Sequence, residues 1–423
     1  MINKILRIFL VSFTVYFLFS STAFCKQDKQ VSILTHEGSF PLFVPDVDLH
    51  RIYPSFEFNR TNILAVFKNG DVLIPDGDKV KIFNFMMINE KSLDNSDLTN
   101  RENNPYSGRK VNYQVTVGPL GYVCVSEAQL NIIGINNRYM NVYDHEYRHL
   151  DTENIRNNQY LTGLIEELEL DPDNFGIRKM IIINENKRVY LIDALKQVDY
   201  QQYGIFELLL YEDKNTIELL YQGIKFGNIS TARLTNYVEG IIDLQFEVLD
   251  NGFIVYSHPH YDNKINEVGA EYILHIFDTR RKRAEQIIHK YDPVENPSPA
   301  DKHIGGLILR EEHKDLKIDD IVSVDRLIKQ DKLPPFSRII ADGDFLFVIL
   351  NNKNKTGEHL TDIFDMSSGK YLRSVYFPPR FAEQYFPEGD STIQNGFAYL
   401  LEYSPSKSPE LILYRINPPV YRK

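Results

Sequence analysis

One short phrase recurs six times along the chain: a turn, an apolar strand, a polar loop, and a strand closing on an aromatic residue followed by a polar one. The clearest copies close with Ile363-Phe364-Asp365, Ile276-Phe277-Asp278 and Val142-Tyr143-Asp144. Weaker ones close with Ile82-Phe83-Asn84, Leu210-Tyr211-Glu212 and Leu413-Tyr414-Arg415. A repeated supersecondary unit cannot bury its apolar face alone, so its copies must stack against one another. The expected fold is all-β, a six-bladed β-propeller of four-stranded antiparallel blades.

Within each unit the strands are named A (inner) to D (outer). The first unit reads Ile63–Phe67, a tight turn at Asn69-Gly70, Val72–Ile74, then Val80–Phe83; Asn-Gly between apolar runs is a strong hairpin signal. The second uses Tyr122–Val125, Leu130–Ile135 and Tyr139–Tyr143, and the third Lys179–Ile183, Val189–Ile192 and Ile205–Tyr211. First turns of the last three units fall at Asp250-Asn251-Gly252, Asp342-Gly343-Asp344 and Asn395-Gly396. After Leu411–Ile416, only a short tail containing Pro418-Pro419 remains, too little for a strand D. The alternating segment Gln30–Thr35 has no other partner, so this N-terminal strand is expected to close the last blade and remove two open edges.

The column after strand C has a local explanation. An acidic side chain there can accept hydrogen bonds from the turn leading into strand D, and the aromatic before it can pack between sheets. Neither needs to be catalytic.

Residues 1–25 read as an export signal: Lys4 and Arg7 ahead of an apolar run Ile8–Phe19, then small residues before Cys25. Residues 26–423 are then one propeller domain with an insertion at about 285–335, whose Asp319–Leu327 could be a short helix. The expected location is outside the cytoplasm, periplasmic or extracellular, with membrane association left open; no later segment is long and apolar enough to span a bilayer. With only Cys25 and Cys124 a disulfide framework is excluded, and Cys124 is expected to be a buried strand residue. The net charge of −11 opposes general nucleic-acid binding, and the basic run Arg280–Arg283 reads as a solvated hairpin turn. A monomer is the expected state.

In this architecture D–A and B–C connections share one face. The stretches Asp193–Gly204, Ser257–Ala270 and Asn351–Leu360 read as long B–C loops, and the 285–335 insertion joins them on that face. Arg60, Arg178 and Arg338, with Asp243 and Gln245, stand just ahead of inner strands and so at the channel mouth. Guanidiniums converging there could hold a carboxylate, sulfate or sugar acid by forked hydrogen bonds. The alternative is that each pairs with a carboxylate of the neighbouring blade and ties the ring together.

Two histidine motifs bear on metal chemistry. His145-Glu146-Tyr147-Arg148-His149 has the letters of H-E-x-x-H, which binds zinc only on a helix. Following a strand C, these residues should instead form a C–D turn on the opposite face. His258, His260 and Asp262, in the B–C stretch of unit four, are the metal candidates, with zinc or calcium as the ion. No motif calls for any other cofactor. Neither a Walker A loop nor G-x-S-x-G is present, and Gly118-Pro119-Leu120-Gly121 is a turn.

The phrase Gly343–Val348 leading to Asp362–Asp365 and Gly369–Leu372, together with the export signal, resembles secreted bacterial six-bladed propellers of the NHL/TolB-like kind. The resemblance covers most of residues 30–423, and Val117–Gly121 resembles a remnant of their G-x-G-P-G-E-like stretch. It implies the fold far more than a function, because members mostly lack established activities. The functional expectation is an exported binding protein, taking a partner protein or a small anionic or sugar ligand at the B–C face. The alternative is a metal-dependent hydrolase or lyase at the channel mouth, with a metal or carboxylate pair drawn from some of His258, His260, Asp262 and Asp243.

Overall fold

A computed structural model of the chain describes residues 34–41, 64–76, 79–84, 89–94, 112–128, 139–199, 202–230, 244–266, 269–295, 303–304, 307–308, 332–381, 389–404 and 407–422. The expected signal at 1–25, Leu130–Ile135, Asp319–Leu327 and most of the 285–335 insertion lie outside them. Six antiparallel blades form a ring, a six-bladed β-propeller.

Blade 1 is Ala65–Val66, Val72–Asp76, Lys79–Phe83 and Asn89–Asp94. Blade 2 is Asn112–Val117, Val123–Ala128, Tyr139–Tyr143 and His149–Asn154. Tyr122–Val125 therefore belongs to strand B, not to the inner strand, which precedes the Gly118–Gly121 turn. Blade 3 is Phe175–Asn184, Lys187–Asp199, Gln202–Asp213 and Thr216–Ser230. Blade 5 is Phe336–Asp342, Phe345–Lys353, His359–Asp365 and Lys370–Phe377. Blade 6 is Gly389–Gln394, Phe397–Ser404 and Lys407–Ile416, closed by Leu34–Pro41 in antiparallel pairing. The closing strand thus exists as expected, over Leu34–Pro41; residues 30–33 of the expected segment lie outside the described residues.

Blade 4 is irregular. Its strands are Gln245–Val248, Phe253–Ser257, Gly269–Asp278 and Arg283–Tyr291, with Asn263–Asn266 pairing to the start of strand C. Phe253–Ser257 and Asn263–Asn266 lie on the same side of strand C, so they are one strand B interrupted by His258–Asp262.

None of the three expected B–C loops is a long loop. Ser257–Ala270 is largely this interrupted strand B paired to the start of strand C. Asp193–Gly204 continues the hairpin of blade 3, with Lys196 opposite Gly204 and Gln197 opposite Tyr203. Ladder hydrogen bonds come from the backbone and are indifferent to the polar side chains that made this stretch look irregular. Asn351–Leu360 reduces to a turn at 354–358, where Asn354 Oδ1 accepts from Thr356 N and Glu358 N at 3.0 and 2.9 Å.

Sheets covered on both faces need apolar residues on both, and hence near-continuous apolar runs. In Phe345–Leu350 the period of two sorts the run: Leu346, Val348 and Leu350 pack with blade 4, while Phe347 and Ile349 pack with blade 6. Such clusters fill all the seams around the ring, including that between blades 6 and 1. Phe83, Tyr143, Phe277 and Phe364, the aromatics closing strands C, each sit in the seam with the preceding blade.

The acidic caps also form as expected. Asp144 Oδ1 accepts from Glu146 N and Arg148 N, both at 2.9 Å; Asp278 Oδ1 accepts from Arg280 N at 2.8 Å and Asp365 Oδ1 from Ser367 N at 3.0 Å. The first places the H-E-x-x-H letters in a C–D turn with Tyr147 at φ 65°, and His149 opens strand D. The zinc reading falls with it, since no helix presents the histidines together. The one α-helix among the described residues is Gln159–Glu167, in the D–A connection after blade 2 and capped by Asn158. No described helix is long and apolar enough to cross a membrane.

Candidate functional site

Inner strands of all six blades line an axial cavity of about 180 Å³. Its polar lining includes Gln114, Arg178, Lys179, Gln245, Arg338 and Asp390. Arg178 and Arg338 thus reach the axis as expected; Arg60 and Asp243 lie outside the described residues.

Both arginines are already engaged. Arg178 interrupts the register between strands A and B of blade 3. Its guanidinium forks onto Asp193, with Nε to Oδ2 at 3.1 Å, and Nη1 donates to Glu207 Oε1 at 2.6 Å. The other oxygen of buried Glu207 accepts from Leu244 N at 3.1 Å, at the start of blade 4. Arg338 donates to Ser391 Oγ at 2.9 Å and Ser391 O at 2.6 Å, and Asp390 Oδ2 accepts from Leu64 N at 3.0 Å in blade 1. Arg178 therefore ties strands A, B and C of its own blade, with only Glu207 reaching on to blade 4, whereas Arg338 ties blade 5 to blade 6. Removing Arg178 strands two carboxylates. Arg178→Met should cost about 2 kcal/mol in urea unfolding, less than a fully buried pair because the guanidinium keeps 15% exposure.

Three cavity features were invisible to the motif search. Lys179 Nζ donates to Phe246 O at 3.1 Å and pairs with Glu247 at 3.2 Å, joining blades 3 and 4. Asp390 holds the position in unit six that Arg338 holds in unit five, so extending the same column would have found it. At the A–B end, Lys68 of blade 1 reaches Asp250 of blade 4 at 2.8 Å. Blades 1 and 4 are opposite members of the ring, so this ion pair crosses the axis. No sequence spacing announces it.

The His258–Asp262 stretch tucks inward. His258 and His260 are buried, His258 Nδ1 accepts from His260 N at 3.2 Å, and His258 Nε2 lies 3.7 Å from Glu207 Oε2. The first of these bonds leaves the proton of a neutral ring on Nε2, facing the glutamate. Asp262 turns the other way, Oδ2 accepting from His258 N at 2.7 Å and Oδ1 lying 3.1 Å from His275 Nε2. The three side chains do not converge on one point. Among the described residues no group of three or more His, Cys, Asp or Glu could hold a metal ion. Cys124 is buried, and desolvation pushes its thiol well above the ordinary range, as befits a strand residue without reactivity.

No family model matches the chain, and no curated protein matches it by sequence. Among solved structures, a candidate exported protein of Bacteroides fragilis is 10% identical with a TM-score of 0.43, covering 91% of this chain and 96% of its own. The propeller domain of the trilobed protease from Pyrococcus furiosus is 11% identical with a TM-score of 0.31, covering 83% and 80%. The polysaccharide lyase Uly1 is 10% identical with a TM-score of 0.33, covering 90% and 100%. At such identities a likeness carries nothing about activity.

Proposed function

We propose that the chain is an exported binding propeller of the NHL/TolB-like kind, recognising a small anionic or sugar ligand, or a partner protein, at the channel face where inner strands begin. The observation that carries this reading is the polar axial cavity, with the Lys68–Asp250 pair across its A–B end. The amides of Gln114 and Gln245, beside the lysines and carboxylates of the lining, offer donors and acceptors of both kinds, which suits a polyhydroxylated or acidic molecule. The connection leaving blade 4 at Glu295 and returning at Lys332 belongs to the same face. Its ends are already joined, Glu295 bridging Lys332 and Leu333 N donating to Val294 O at 2.9 Å.

The test is thermal unfolding with glucuronate, sulfate and a neutral oligosaccharide, each in millimolar excess. A rise in midpoint with one of them, lost in Gln245→Ala, supports the small-ligand reading through ligand linkage. Excising 296–331 with a short Gly-Ser join should leave the midpoint within a few degrees, because the paired ends close the loop at little cost. No shift with any probe, and no protein retained by the full chain but lost on excision, would sink the proposal.

A further inference from the structure

The seam between blades 4 and 5 holds a buried hydrogen-bonded cluster that neither the core nor the channel requires. At its centre Asp362, in strand C of blade 5, is 2% exposed. Its Oδ2 accepts from Tyr272 OH at 2.7 Å, from strand C of blade 4, and its Oδ1 accepts from Ser374 Oγ at 2.5 Å. Tyr371 OH lies 2.7 Å from the same serine oxygen. His289, in strand D of blade 4, places Nε2 3.5 Å from Asp362 Oδ2. The imidazole is enclosed by aromatic rings, with centroids 4.5 Å away at Tyr371, 5.3 Å at Phe364 and 5.5 Å at Tyr272.

This arrangement has room for one charge. Tyr272 and Ser374 both donate to the carboxylate, so the cluster is satisfied with Asp362 ionised and His289 neutral. A proton on either oxygen of Asp362 would oppose the hydroxyl that donates to it and require that hydroxyl to reorient. A proton on His289 would place a cation in a ring of aromatic side chains with one carboxylate to answer it. His289 also lies in the strand that runs into the Glu295–Lys332 connection.

We propose that the blade 4–blade 5 seam is an acid-sensitive joint: proton uptake at His289 loosens strand D of blade 4 from blade 5 at the root of that connection. The groups facing His289 among the described residues are Asp362, Tyr272 and Tyr371, and no cation stands among them. Burial holds the imidazole below its ordinary range, outweighing the attraction of Asp362. The unfolded chain therefore takes up this proton first. Stability from His289 is complete above about pH 6.5 and is lost as the pH falls through that value. Burial also raises the Asp362 carboxyl, which gives a slope of the opposite sign above the ordinary aspartate value, common to wild type and a His289 variant.

The experiment is urea unfolding of the full chain at pH 7.5, 6.0 and 5.0, for wild type and His289→Phe, with hydrogen exchange followed by peptide. Phe fills the same aromatic enclosure and cannot titrate. The folded-to-unfolded ratio of wild type should fall at least threefold more than that of the variant between pH 7.5 and 5.0. Peptides from Gly269–Tyr291 and His359–Phe377 should gain exchange, corrected for intrinsic rate, ahead of those from blades 1 and 6. Parallel pH profiles for the two proteins, or equal gains in all blades, would overturn the proposal. Should His289→Phe not fold, His289→Gln carries the same comparison.

Discussion

Replacing Gly118 with Ala is expected to destabilise the ring by about 3 kcal/mol or more, at the upper end for overpacked sites. A Cβ there would lie 1.8 Å from the Ile182 carbonyl oxygen and 2.9 Å from its carbon. The obstacle is backbone, in strand A of blade 3, and it is itself held in the A–B ladder of that blade. It cannot swing aside as a flexible side chain would. Glycine here sets how closely blade 2 can approach blade 3, where Thr116 Oγ1 also donates to Met180 O. Urea unfolding should show a lower midpoint with an unchanged m-value. Gly163→Ala is the internal control: nothing lies within 4 Å of its added carbon, and it sits within the helix Gln159–Glu167. That change should stabilise by about 0.5–1 kcal/mol.

Asp342→Ala should cost more, about 4 kcal/mol, since the carboxylate accepts several hydrogen bonds worth about 1.5–3 kcal/mol each before rewetting. Asn395 N and Gly396 N donate to it at 2.5 and 2.8 Å, fixing the A–B turn of blade 6. Tyr421 OH donates at 2.6 Å, holding the C-terminal 3-10 turn Pro418–Tyr421. One side chain of blade 5 thus secures its neighbour and the end of the chain together. Asp342→Ala should make the segment after Ile416 susceptible to limited proteolysis, whereas Tyr421→Phe should cost about 1 kcal/mol and leave the turn of blade 6 intact. Equal losses from the two changes would show that the turn contacts contribute nothing.

The architecture was legible in the sequence because its determinants are local. Runs such as Phe345–Leu350 announce sheets buried on both faces, and acids such as Asp365 announce the turn that follows strand C. Ring closure was legible by elimination, since strand C of the last unit had no successor. Lengths of strands were not. Blade 3 extends to Asp199 and Gln202 through residues whose polarity conceals their pairing. The inner strand Asn112–Val117 alternates with polar residues because its Gln114 and Thr116 border the cavity, and it was passed over for the more apolar Tyr122–Val125. At the site, the sequence placed Arg178 and Arg338 at the axis but could not say what they hold. Asp193 and Glu207 become partners of Arg178 only when strands A, B and C lie side by side. The Lys68–Asp250 pair exists only once the ring is closed.

Leu34–Pro41 meets its partner Lys407–Ile416 only across the whole length of the domain. During synthesis on the ribosome, then, Leu34–Pro41 emerges long before the strand it pairs with, and for that interval this outer strand has no blade to join. Whatever carries the nascent polypeptide through this period must keep both stretches from pairing elsewhere. Shortening either stretch should leave each of the other blades able to form but the circle unlocked.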